Sequence, residues 1–210
     1  MNPKLAAVFK QNASVLSSLR AERPVAIFVG GTSGVGQGLA EDFARHRMGR
    51  AHIVVVGRNE QAANEILTRT RSLLDPPDQE VNWTHEFVQC DLTLMRNVHA
   101  ASKEILTRYP KINYLLMTPG FFSTAGREET DEGLDKKLAV HYYGRWKFID
   151  ELLPALRKAK DEGEDVRVMS VFSAGFGSQV DLNDIGLEKT YTIWNAGRAA
   201  ATYNDLMIEV

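Results

Sequence analysis

One segment narrows the fold more than any other: a short apolar run that feeds a glycine-rich turn and then a helical pattern. Val25-Ala26-Ile27-Phe28-Val29 is followed by Gly30-Gly31-Thr32-Ser33-Gly34-Val35-Gly36, then by a stretch to Met48 with Leu39, Ala40 and Phe43 facing inward. An uninterrupted apolar run with no polar alternation reads as a strand buried on both faces, which requires helices above and below the sheet. The glycines let backbone amides come close to a pyrophosphate, and the following helix N-terminus favours its negative charge. Gly30, Thr32, Ser33, Gly34, Val35 and Gly36 are therefore candidate dinucleotide contacts. A turn of this kind is also what any tight strand-to-helix connection requires, so its position in the chain carries the inference.

That position is the start of a regular alternation. Strands are expected at Val25–Val29, Ile53–Val56, Trp83–Val88, Ile112–Met117 and Val166–Phe172. Helices are expected at Gly34–Met48, Glu60–Leu74, Met95–Arg108, Glu129–Lys158 and Tyr191–Glu209. Strand-helix alternation predicts an α/β fold: a Rossmann-type, doubly wound parallel sheet of about five strands in the order 3-2-1-4-5. The 210 residues suffice for one such domain and are too few for two ordinary ones. Residues 24–210 are read as that domain. Residues 1–23 are read as an N-terminal helical extension, with Leu5, Val8, Phe9, Val15, Leu16 and Leu19 mostly at helical spacing and Pro24 closing it. Asp75-Pro76-Pro77-Asp78 is expected to be a surface turn, and Lys158 to Asp165 a solvated charge cluster.

Charge and composition exclude several partners. With 25 basic against 27 acidic residues and a net charge of −2, the chain lacks the positive field that nucleic acid requires. No apolar run approaches the roughly 20 residues of a membrane span, and the N-terminus lacks the continuous apolar core of a signal peptide. A single cysteine, Cys90, allows no internal disulfide and suits a reduced, cytoplasmic setting. Cys90 itself follows a strand and reads as a small core residue. The five histidines show no metal-ligand spacing. A small-molecule substrate is the expected partner, with self-association into a homo-oligomer.

At the end of the second strand stands Gly57-Arg58-Asn59. An NAD-selective site would offer an acidic residue there to the ribose hydroxyls. A guanidinium instead suits a 2′-phosphate, so Arg58 and Asn59 point to NADP, with NADPH preferred over NADH.

The spacing of Gly30, Gly34 and Gly36, followed by Gly57-Arg58-Asn59, Asp91-Leu92 and a turn at Gly120, resembles the short-chain dehydrogenase/reductase family, over about residues 24–209. It is similar in particular to diverged fungal members found beside biosynthetic genes. The resemblance implies that Asp91 and Leu92 contact the adenine. It also places Met117-Thr118-Pro119-Gly120 where the family has Asn-Asn-Ala-Gly, so only Gly120 is kept. Val29 stands where threonine is usual.

The family's reaction uses a tyrosine as proton donor, a nearby lysine that makes the phenol acidic enough to act, a serine that holds the substrate oxygen and an asparagine that orders a water relay. By resemblance Ser173 is the serine, and His141 occupies the asparagine position, where an imidazole can relay a proton. Tyr191 is the candidate tyrosine, but Asn195 replaces the lysine. A second register would place Gly197 and Ala201 at the two positions and leave neither side chain. Arg198 lies nearby but offers only a fixed charge. Tyr143 and Lys147 have the family spacing yet lie upstream of Ser173, and are read as coincidental. Trp146, Trp194, Tyr142 and Tyr143 could wall an apolar pocket.

Three functions fit these residues. The first is an NADP(H)-dependent oxidoreductase acting on a small, fairly apolar carbonyl or alcohol, with a place in secondary metabolism. The second is an isomerase, dehydratase or cyclase on the same fold, and the third a non-catalytic cofactor-binding or scaffold subunit. The family's sheet continues with further strands after the helix near Tyr191–Glu209. In their place, the fifth strand is expected to be an edge covered by another chain or by the N-terminal helix.

Overall fold

A computed structural model describes residues 3–17, 21–74 and 82–209. The proline turn expected at residues 75–78 lies outside them, as does Leu19. The elements run α1 (Pro3–Ser17), β1 (Val25–Val29), α2 (Gly34–His46), β2 (His52–Gly57), α3 (Glu60–Arg71), β3 (His85–Gln89), α4 (Met95–Arg108), β4 (Tyr114–Met117), α5 (Lys136–Leu138), a π turn (Ala139–Tyr143), α6 (Gly144–Asp161), β5 (Arg167–Ser170) and α7 (Ile193–Glu209). The sheet is parallel throughout, in the order β3-β2-β1-β4-β5.

Because successive side chains of a strand point to opposite faces, β1 divides its residues between two cores. Val25, Ile27 and Val29 join Val54, Val56, Val98, Ile105, Phe148 and Leu152 on the face covered by α4 and α6. Ala26 and Phe28 join Ile53, Val55, Ala40, Ala44 and Leu67 on the face covered by α2 and α3. The doubly buried strand read from the sequence is thus central in the sheet.

Two of the boundaries that differ from expectation have a visible cause. The helix expected from Glu129 begins at Lys136. Asp131-Glu132-Gly133 instead forms a tight turn: Gly133 has φ of +76° and the Thr130 N–H donates to the Leu134 carbonyl at 2.8 Å. The Asp135 carboxylate then caps the helix by accepting from the Lys137 and Leu138 amides at 3.0 Å each. Glu132, in that turn, caps a different helix by accepting from Met95 and Arg96 at the start of α4. The second difference is at the end of the chain, where α7 starts at Ile193. Thr192 is its cap, its hydroxyl accepting from the Asn195 amide at 3.0 Å.

Among the described residues the fifth strand stays partly open. Val168 and Met169 point to opposite faces, yet they are 44% and 38% exposed. The described part of α1 shows its own Leu5, Val8 and Phe9 to solvent, so it is not the cover. Among the described residues α7 packs instead on the α5–π turn segment, through Ala196, Ala199, Ala200 and Tyr203. No described helix is long and apolar enough to cross a membrane.

Candidate active site

The glycine-rich turn is built as a cradle. Gly30 has φ of +79°, a conformation that disfavours any side chain. A Cβ added at Gly36 would lie 2.4 Å from both the Gly30 carbonyl oxygen and Thr118 Oγ1, so the start of α2 presses directly on the ends of β1 and β4. Gly34, by contrast, faces open space. Ser33, the residue preceding α2, makes no side-chain cap, which leaves the first amides of that helix available. These are the features an anion at a helix N-terminus needs.

A cleft of about 310 Å³ opens above this cradle. Gly30, Thr32, Ser33, Gly34, Val35 and Gly36 line it, together with Arg58, Asp91, Leu92 and Gly120 from the ends of the other strands. Gly57, Cys90, Thr118, Pro119, Phe121 and Val140 also line it and are not among the cofactor contacts expected from the sequence. Their common signal is position: each follows a strand's C-terminal end or sits in the π turn, where ligands of open α/β sheets bind. Burial pushes the Cys90 thiol up to about 12, so it is inert lining. Arg58 is exposed and its guanidinium makes no hydrogen bond or ion pair among the described residues. Asn59 has another task, its side chain capping α3 by accepting from the Ala62 amide at 3.0 Å. The Asp91 carboxylate accepts from the Thr93 amide at 3.0 Å, which fixes the turn after β3. The donor set and the open helix N-terminus fit a dinucleotide.

A second cavity of about 580 Å³ adjoins the first, and Phe121 lines both. Its wall is mostly apolar, from Phe121, Phe122, Phe176, Ile193 and Trp194, with Lys137 and His141 as the ionisable groups. Of the four aromatics proposed as a pocket wall, Trp194 lines it. Trp146 is exposed, while Tyr142 and Tyr143 pack toward α7, with Tyr142 and Tyr203 rings 5.1 Å apart.

His141 is presented by the π turn. The Gly144 amide bonds back to the Ala139 carbonyl, five residues earlier, which widens the helix at this point. Gly144 fits closely there, because a Cβ would meet Leu92 at 3.3 Å and the Ala139 carbonyl at 3.1 Å. The imidazole lies between Phe121 and Phe172, with ring centroids 5.5 and 5.1 Å away, and its Nε2 accepts from the Phe121 amide at 3.2 Å. Burial first, then the Arg145 guanidinium, lowers its pKa to about 4. Held this way, His141 is neutral near pH 7 and has no proton to give at Nε2.

This predicts an acid sensitivity. A histidine whose folded pKa lies below its unfolded value of 6.5 binds fewer protons when folded, so stability falls as pH drops below about 6.5 and the loss levels off below about 4. The full shift corresponds to roughly 3 kcal/mol. Buried His85, bonded to the Gly49 carbonyl and Thr70 Oγ1 and also lowered by burial, adds in the same direction. Thermal melts from neutral pH to about pH 4 are expected to show the wild type losing more stability than His141→Asn; identical curves would contradict this.

The remaining candidates are distributed unevenly. Ser173 is exposed, makes no side-chain hydrogen bond among the described residues and does not line either cavity. Tyr191 is half-buried beside the apolar cavity, immediately before Thr192, which lines it. Its hydroxyl lies 2.8 Å from Lys137 Nζ. Lys147, by contrast, pairs with Glu151 at 2.6 Å on α6, away from Tyr191.

The sequence profile of the short chain dehydrogenases matches residues 24–180. This chain belongs to that family. It is 36% identical over 184 residues to "Oxidoreductase AN1596" of Emericella nidulans, covering 88% of this chain and 52% of that protein. The chain spans about half the length of the curated relatives it matches. A metagenomic short-chain oxidoreductase in complex with NADP superposes with a TM-score of 0.63 at 17% identity, covering 89% of this chain and 74% of that one. The NADH-dependent reductase A1-R′ complexed with NAD superposes equally well, also at 0.63, with 20% identity and coverage of 91% and 72%. At these identities the structural neighbours establish the shared fold, while family membership rests on the sequence match.

Proposed function

We propose that this short-chain dehydrogenase is an NADP(H)-dependent oxidoreductase that acts on a carbonyl or alcohol of a small, fairly apolar molecule. The observation that carries this is the pair of adjoining cavities sharing Phe121: a polar cleft on an uncapped helix N-terminus, and an apolar pocket beside it. The cradle of Gly30, Gly34 and Gly36 would hold the pyrophosphate, Asp91 and Leu92 would flank the adenine, and Arg58 would grip a 2′-phosphate. A bound nicotinamide supplies or accepts hydride. The chain's own work is to exclude water with the aromatic wall, to orient the substrate oxygen and to move a proton to or from it. Of the expected Ser173, Tyr191 and His141, Tyr191 is assigned to that oxygen, because its hydroxyl lies 2.8 Å from Lys137 of the pocket wall, whereas Ser173 is exposed and His141 Nε2 already accepts from the Phe121 amide. A cytoplasmic role in secondary metabolism and self-association belong to the same proposal. The exposed Val168 and Met169 on β5 support the latter.

The choice of NADP over NAD rests on Arg58, a cation after β2 with no ion pair among the described residues. Removing a charge-assisted pair of hydrogen bonds costs about 1.5–3 kcal/mol, or roughly tenfold to a hundredfold in affinity. Titration by protein fluorescence is expected to show tighter binding of NADPH than NADH. Arg58→Glu should weaken NADPH by that factor and leave NADH little changed. Equal losses for both cofactors would contradict the assignment.

A further inference from the structure

Tyr191 lacks the lysine that sequence spacing would give it, since Asn195 stands there. The structure brings a lysine from elsewhere. Lys137, on α5 and 54 residues away in sequence, places its Nζ 2.8 Å from Tyr191 Oη, and its ammonium also lies 5.5 Å from the Tyr191 ring centroid. Lys137 is 7% exposed, and no carboxylate forms an ion pair with its ammonium among the described residues. Its other partners are the carbonyls of Ala125 at 2.8 Å and Gly126 at 3.4 Å. Both Lys137 and Thr192, the neighbour of Tyr191, line the apolar cavity.

Resting on the oxidoreductase reading above, we infer that Tyr191 and Lys137 form the acid–base pair of this pocket, with Tyr191 Oη as the proton donor to the substrate oxygen. An ammonium only donates, so the phenol oxygen must accept from Lys137 and its own hydrogen is left for another acceptor. No other hydrogen bond of Tyr191 Oη exists among the described residues, so that hydrogen remains available to a substrate oxygen brought beside Lys137. In the reducing direction the proton leaves Oη for the carbonyl oxygen as hydride from the reduced dinucleotide adds to the carbonyl carbon. The products are an alcohol, the oxidised dinucleotide and a tyrosinate. The tyrosinate forms 2.8 Å from a positive charge in apolar surroundings, where the attraction is strong. It then regains its proton from water.

Both partners are held in place. Asp184 fixes the loop before Tyr191: Oδ1 accepts from the Glu188 amide at 2.7 Å, and Oδ2 accepts from the Thr190 amide and hydroxyl at 2.8 Å each. Asp135, capping α5, fixes the backbone of Lys137. His141, whose Nε2 already accepts from Phe121, is left as wall.

The test uses 1-acetonaphthone, an aromatic ketone, and 1-ethylnaphthalene, its near-isostere without an oxygen. Calorimetry on the wild type should show the ketone bound more tightly. Tyr191→Phe should weaken the ketone by about threefold to tenfold, the value of one neutral hydrogen bond, and leave the hydrocarbon unchanged. In single-turnover reduction of the ketone by NADPH, Tyr191→Phe and Lys137→Met should each slow the reaction by about a hundredfold or more. NADPH affinity should stay unchanged, and Lys137→Arg should recover part of the rate. Lys137→Met also removes two loop contacts, so its melting temperature is measured alongside; Tyr191→Phe tests the proposal independently of that variant's folding. Ketone reduction at the wild-type rate by Tyr191→Phe overturns the inference, as does equal binding of ketone and hydrocarbon by the wild type, or binding of neither. Loss of NADPH binding in the wild type would instead overturn the oxidoreductase reading, while the ketone–hydrocarbon difference would still report the Tyr191 proton.

Discussion

Gly36→Ala is expected to remove measurable dinucleotide binding and to lower the melting temperature by several degrees. The added methyl would sit 2.4 Å from the Gly30 carbonyl oxygen and 2.4 Å from Thr118 Oγ1, well inside van der Waals contact. One neighbour is backbone, so relief requires α2 to move away from β1. Overpacking of this kind costs about 1–3 kcal/mol, and each kcal/mol lowers the melting temperature of a chain of this size by about 2–4 °C. The same movement displaces the first amides of α2 from the place a phosphate would occupy. Gly38→Ala, two residues along the same helix, has open space at its Cβ. It should keep binding and gain up to about 1 kcal/mol from helix propensity. Calorimetric melts and NADPH titrations of the two variants check the claim; if both bind as the wild type does, the cradle is not the site.

Arg145→Met is expected to cost about 3 kcal/mol, visible as a fall of roughly 10 °C in melting temperature. Arg145 is 1% exposed, has no carboxylate partner among its hydrogen bonds, and serves as a hub of donors. Its Nη1 donates to Ser170 Oγ at 2.7 Å, the Val171 carbonyl at 3.0 Å and the Met117 carbonyl at 3.4 Å, while Nη2 donates to the Pro119 carbonyl. The guanidinium also stacks 5.0 Å from the centre of Phe172. Burial of the cation is itself costly and lowers its pKa to about 10. Methionine relieves that cost, yet among the described residues it leaves the Val171 and Pro119 carbonyls without a donor and Ser170 with only its bond to Asn204 at 2.9 Å, while the Met117 carbonyl keeps the Val171 amide at 2.8 Å. The balance favours the arginine, because buried acceptors left without donors cost about 1–3 kcal/mol each. Those carbonyls belong to the ends of β4 and β5, beside both cavities, so Arg145→Met should also loosen the pocket. Chemical denaturation measures the cost, and a change below about 1 kcal/mol would contradict this account.

The sheet was readable because its signals are local. Val25–Val29 is an unbroken apolar run and becomes the central strand; the spacing of Gly30, Gly34 and Gly36 marks the strand-to-helix turn, although its closest contacts also reach Thr118 and Pro119. The bonds that shape the pocket join residues far apart in sequence, and no spacing rule reports them. Lys137 reaches Tyr191 across 54 residues, and Glu132 caps α4 across 37. The π turn was hidden for another reason: one extra residue in a helical turn leaves the apolar period around Val140 almost unchanged, although it is what turns His141 toward Phe121. Asn59 is a cofactor contact by position alone, and the sequence does not show that its Oδ1 also caps α3. Ser173 follows the strand as the family pattern implies, but the chain turns at Phe172, which packs against His141 and Arg145 and leaves Ser173 exposed.

The central claim is that the cleft above Gly30–Gly36 holds a reduced dinucleotide beside the apolar pocket where Trp194 stands. Energy transfer from tryptophan to bound NADPH tests it most directly. The wild type should show sensitised nicotinamide emission that saturates with NADPH, that is displaced by NADP, and that is lost in Gly36→Ala. Absence of a saturable signal in the wild type, or the same signal in Gly36→Ala, would contradict it.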